Sequence, residues 1–115
     1  MNDIQLVLNC NKILVNPKNV WNELIHIGFI EDNFKHVTIS RLVYDDEIYI
    51  EHNDQINYLY SHYQDVNFII KDNFLIIDTI KQTSVCNMPN KIKIVLNQTV
   101  ENLEEVLSAL KAPTL

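Results

Sequence analysis

The chain has 115 residues, 47% of them hydrophobic, with nine basic and fifteen acidic side chains and a formal net charge of −6. That length and apolar content fit one globular domain with its own core and exclude a disordered polymer. Dispersed bases on an acidic chain disfavour phosphate-backbone recognition, so nucleic acid is not an expected partner.

The opening MNDIQLVLNC has no basic region and no small-residue cleavage site, so it does not read as a secretory signal. No apolar run approaches the ~18 residues needed to cross a bilayer, so no membrane partner is expected. The expected location is cytoplasmic. Cys10 and Cys86 stand alone, without CxxC spacing, and read as reduced thiols. Gly28 is the single glycine, so tight turns fall to Asn and Asp, which tolerate the left-handed region best among the other residues.

In chain order, 4–9 and 13–16 read as short strands around an Asn-Cys-Asn-Lys turn. A helix is expected next, with Asn16 as cap, Pro17 in the first turn, and Val20, Trp21, Leu24, Ile25 and Ile27 at helical spacing. Gly28 would terminate it. A hairpin follows over 36–44 and 47–51, turning at Asp45-Asp46 and setting Val43 opposite Ile48 and Ser40 opposite Glu51. Alternation places Val37, Ile39, Val43, Ile48 and Ile50 on one face. Thr38, Ser40, Leu42, Tyr44, Glu47, Tyr49 and Glu51 fall on the other. Arg41 lands among the apolar residues.

Asn53 or Asp54 would cap a second helix over 55–63, with Ile56, Leu59, Tyr60 and Tyr63 inward and Tyr58 and His62 exposed. Residues 67–80 read as a hairpin turning at Asp72-Asn73, apolar on both faces and therefore central. A loop over 81–90 leads to a strand at 91–96. Thr99 would cap a last helix carrying Val100, Leu103, Val106, Leu107 and Leu110, with Glu101, Glu104 and Glu105 near its start and Lys111 near its end. The residues after Lys111 read as a frayed tail. The expected fold class is α+β: one domain, a mostly antiparallel sheet built from hairpins with about three helices packed on it.

No catalytic motif stands out. His26, His36, His52 and His62 form no HxH or HExxH pattern, and Asp45-Asp46-Glu47 on a tight turn would diverge rather than converge on a metal. With one glycine, a phosphate-cradling loop is nearly excluded. No cofactor and no bound metal are expected. The informative feature is charge placement. Residues 31–65 hold eight acids against Lys35 and Arg41, while the rest of the chain holds seven acids and seven bases. A third of the sequence thus carries the whole net charge, interleaved with tyrosines. Carboxylates attract a cationic partner, and tyrosines supply rigid contact area.

In size, acidity and lack of catalytic motifs, and most of all over VYDDEIYIEHNDQINYLYSHY at 43–63, the chain resembles the bacterial immunity proteins that neutralise toxins of contact-dependent inhibition, polymorphic-toxin and colicin-like systems. The resemblance implies a non-enzymatic protein, monomeric until it pairs with one cognate basic toxin domain, for example a ribonuclease, whose active site it blocks. The partner-binding residues would be Asp45, Asp46, Glu47, Tyr49, Glu51, Asp54, Tyr58 and His62. Two rival readings are an adaptor or subunit that assembles through an apolar sheet edge, and a small metal-dependent hydrolase using Glu51, His52, Asp54 and His62.

Overall fold

Segments in which every second residue is apolar and β-branched dominate the chain, and that period builds strands. The structure, a computed structural model, describes residues 6–16, 24–32, 34–53, 56–97 and 103–114. Among them the order is β1 (Leu6–Cys10), β2 (Lys12–Asn16), β3 (Leu24–Asp32), β4 (Lys35–Leu42), β5 (Glu47–His52), β6 (Tyr58–His62), a 3-10 turn (Tyr63–Asp65), β7 (Val66–Lys71), β8 (Phe74–Thr79), β9 (Ser84–Cys86), β10 (Lys91–Leu96) and α1 (Leu103–Leu110).

The strands form two sheets, a four-stranded one in the order β1-β10-β8-β7 and a six-stranded one in the order β2-β3-β4-β5-β6-β9. β1 runs parallel to β10, with Leu6 opposite Ile92. Every other pair is antiparallel. The inner faces share one core. Ile27, Phe29, Ile39, Ile48, Ile50 and Leu59 come from the larger sheet, and Leu8, Leu75, Ile77, Ile92 and Ile94 from the smaller. Burying each such side chain stabilises the fold by about 1.5–3 kcal/mol. A one-residue slip of any inner strand would therefore be costly. α1 adds Leu103, Val106, Leu107 and Leu110 to this core, one stripe at helical spacing.

The expectation of about three helices on one sheet is corrected: among the described residues there is a β-sandwich with one α-helix. The segment 24–28 matched helical spacing through Leu24, Ile25 and Ile27. Ile25, Ile27 and Phe29 also alternate, and β2 and β4 pair with this strand on both sides. Ladder pairing decided between the two periods. Pro17, Val20 and Trp21 lie outside the described residues. The segment expected as a helix over 55–63 is β6 and the 3-10 turn. Leu59 and Ser61 are buried and Tyr58, Tyr60 and His62 point outward, a period of two.

Smaller corrections follow from topology. β1 and β2 do not form a hairpin; the chain changes sheets at Asn11, whose N–H donates to Ile30 O at 2.8 Å and whose side-chain amide donates to Glu31 O at 2.8 Å. β4 and β5 pair with Ser40 opposite Tyr49 rather than Glu51. That shift of two residues keeps every side chain on its expected face. The β7–β8 hairpin turns at Asp72-Asn73 as expected, but β7 is an outer strand, so Ile69 is 48% exposed. The segment 81–90 contains the short edge strand β9. Asn53, Asp72 and Asn87 take positive φ, as a chain short of glycine requires.

Arg41, out of place in the sequence pattern, is 3% exposed on the inner face. Its Nε donates to Asp45 O at 2.7 Å, its Nη1 to Leu110 O at 2.8 Å and Ala112 O at 2.6 Å, and its Nη2 to Thr114 Oγ1 at 3.0 Å. The guanidinium carbon lies 4.2 Å from the centroid of the Tyr63 ring. Thr114 Oγ1 in turn donates to Asp46 Oδ1. Residues 112–114 are thus tied down and not a frayed tail, and the last carbonyl of α1 finds its partner. We predict that Arg41→Met lowers unfolding free energy by about 3 kcal/mol, because buried carbonyl oxygens lose their donors. Arg41→Lys should recover only part of it, one ammonium being unable to span the set. Urea midpoints of the three proteins check this, and an unchanged midpoint for Arg41→Met would refute the role.

Candidate functional site

The outer face of the six-stranded sheet gathers most of the residues singled out in the sequence. Alternation sends Glu47, Tyr49 and Glu51 of β5 outward, and antiparallel pairing sets them opposite His62, Tyr60 and Tyr58 of β6. Ser40 and Thr38 of β4 continue the rows past Tyr49 and Glu51, and His26 and Gly28 of β3 continue them further. Ser84 and Cys86 of β9 close the other side.

The tyrosines form one cluster. Ring centroids of Tyr49 and Tyr60 lie 4.9 Å apart, Tyr58 and Tyr60 5.9 Å, and Tyr49 and Tyr58 6.2 Å. Packing across strands stiffens these rings at little entropic cost. Tyr49 Oη donates to Glu51 Oε1 at 2.7 Å. Burial, that hydrogen bond and the Glu51 charge together push the Tyr49 phenol well above its ordinary pKa. The other Glu51 oxygen lies 3.8 Å from His36 Nε2. Glu47 Oε2 accepts from Thr83 Oγ1, and the His62 ring stacks on Tyr63 at 4.5 Å. Gly28 leaves the face low on its β3 side: a Cβ added there would meet His26 Nε2 and Thr38 Cγ2, each at 3.7 Å.

Of the expected partner-binding residues, the fold therefore joins Glu47, Tyr49, Glu51, Tyr58 and His62. Asp45 and Asp46 sit at one end of the sheet and serve local structure. Asp45 Oδ1 accepts the Glu47 N–H at 3.0 Å, and Asp46 holds Thr114. Asp54 lies outside the described residues. Glu31 turns to the opposite side, accepting the Asn9 N–H at 2.9 Å with Lys35 at 3.8 Å, and Asp32 closes the β3–β4 turn through the Phe34 and Lys35 N–H groups. Charge concentrated in the sequence is thus divided in space.

Sequence reasoning missed Tyr60, His26 and His36. Helical spacing reads Tyr60 and His26 onto helices, and the pairing of β3 with β4 and of β5 with β6 sets them on this face.

The face is open. The described hollows lie elsewhere, one between α1 and β7, the other lined by Leu6, Leu8, Glu31, Lys35, His52 and Asn53. Small-molecule sites are concave, so an open aromatic and carboxylate surface suits a macromolecule. The hydrolase constellation does not assemble. His52 points to the face opposite Glu51, and His62 lies four residues along β6 from the partner of Glu51, about 13 Å away. Among the described residues no group of three His, Cys, Asp or Glu side chains is placed to hold a metal ion.

Burial lowers the His26 pKa below its ordinary 6.5, against the opposing pull of Glu51. The unfolded chain thus takes up this proton first. The contribution of His26 to stability is present above pH 6.5 and is lost as pH falls through the native pKa. We predict that His26→Gln flattens the acid limb of the stability profile in that window, measured as urea midpoint against pH; an identical slope would refute it. No family model, curated protein or solved structure matches the chain.

Proposed function

We propose that the chain is a non-enzymatic immunity protein, and that the outer face of β5 and β6 docks on a cognate basic toxin domain in the cytoplasm. The observation that supports this reading is the alignment of Glu47, Tyr49 and Glu51 opposite His62, Tyr60 and Tyr58 on one face, where Tyr60 is 37% exposed. Two carboxylates would steer a cationic surface toward it, and the packed tyrosines would form the contact once water is expelled. Asp45 and Asp46 extend the negative potential to one rim. No helix of the structure is long and apolar enough to cross a membrane.

The test screens the reading frames next to this one for a basic, toxin-like domain and uses any such domain as the partner. Co-expression should rescue growth of cells making that domain. The double variant Glu47→Lys, Glu51→Lys should lower the association rate about 10–100-fold at low salt and flatten its salt dependence. Tyr60→Ala should raise the dissociation rate instead, weakening the complex by about 2 kcal/mol. Full rescue and unchanged rates in both variants would place the interface elsewhere. Failure of rescue by the wild-type chain would overturn the function itself.

A further inference from the structure

We infer that a second copy of the chain docks along the free edge of β7, extending the four-stranded sheet across a two-fold axis. The inference uses the other sheet and leaves the proposed toxin-docking face free, but it replaces the monomer that the resemblance implies with a dimer.

β7 ends the order β1-β10-β8-β7, and among the described residues no strand pairs with its outer side. The two-residue turn makes Lys71 and Phe74 the closing pair of the hairpin. Alternation then directs the main-chain polar groups of Ile69 and Asn67 toward β8, and those of Phe68 and Ile70 toward the free edge. Natural edges are kept short or guarded by charge. This one presents Phe68, Ile69 and Ile70 in succession, with Ile69 48% and Ile70 38% exposed.

The edge is also one wall of a groove of about 550 Å³, lined by Phe68 and Ile70 and by Glu104, Leu107, Ser108 and Lys111. Those four positions share one face at helical spacing. Lys111 Nζ lies 3.4 Å from Asn67 Oδ1, which fixes the positive end of the groove at the start of β7 and leaves Glu104 on the Ile70 side.

Charge order identifies the occupant. In an antiparallel pairing centred on Ile69, Phe68 of one copy meets Ile70 of the other, and both present outward main-chain groups. The start of one β7 then lies beside the end of the other, so Lys111 of each copy faces Glu104 of its mate. A two-fold contact of this kind is self-complementary: each attractive pair occurs twice, and no like charges on α1 are opposed. The Ile69 side chains meet across the axis on the outer face, where non-hydrogen-bonded pairs approach most closely.

Light scattering and sedimentation of the full chain over a dilution series should show a species of twice the 13.5 kDa chain mass. Ile69→Lys, on the exposed face, should give a monomer with an unchanged circular dichroism spectrum. Glu104→Lys should raise the dissociation constant at least about tenfold, and adding Lys111→Glu should restore it, an outcome that a purely structural role for either residue would not produce. A 13.5 kDa species at every concentration would overturn the inference. So would a dimer indifferent to both single variants, or a charge swap that fails to restore association.

Discussion

A single buried guanidinium ties the sandwich together. Arg41 sits on an inner strand where its neighbours are Ile39 and the aromatic ring of Tyr63, and it spends its donors on the carbonyls of Asp45, Leu110 and Ala112 and on the hydroxyl of Thr114. A lone buried charge is destabilising, and one whose donors are matched by carbonyls is tolerated. The matching here joins three separated pieces: the strand, the β4–β5 loop and the C-terminal end of α1. The helix is held at its negative end, so its apolar stripe meets the core in one orientation. The loop held by the same group carries Asp45 and Asp46 to the rim of the outer face.

On that outer face the physics is of another kind. The inner surface is chosen by exclusion of water, and the outer one by what lies side by side across β5 and β6. Glu51 illustrates the difference: one oxygen holds the Tyr49 hydroxyl and the other lies near His36. A carboxylate so restrained loses little freedom when a cation arrives, and preorganisation of that sort improves affinity without new contacts. The tyrosine rings, already in mutual contact, behave similarly.

Much of the inner face was legible because alternation is a strong signal where apolar residues are β-branched. Val37, Ile39, Ile48 and Ile50 are buried as the pattern required, and the Asp72-Asn73 turn and the apolar stripe of α1 were equally plain. Short mixed segments were not legible, because 58–62 satisfies both periods: Tyr58 and His62, four apart, share a face on a strand as well as on a helix. Only the neighbouring strands decide. The function of Arg41 could not be read locally either, since its partners lie up to 73 positions away. The site was half legible for the same reason. Residues on β5 were found through alternation, whereas Tyr60 and His26 needed the pairing of strands that the chain order does not display.

The parallel contact between β1 and β10 reaches beyond stability. Leu6 faces Ile92, and Leu8 faces Ile94, so β1 must wait for a strand that lies 86 positions later in the chain. Closing so long a loop is slow, and contacts of this separation hold folding rates down. Until β10 pairs with it, the edge and the apolar side of β1 are uncovered, which makes the folding chain vulnerable to aggregation in a way the finished molecule is not.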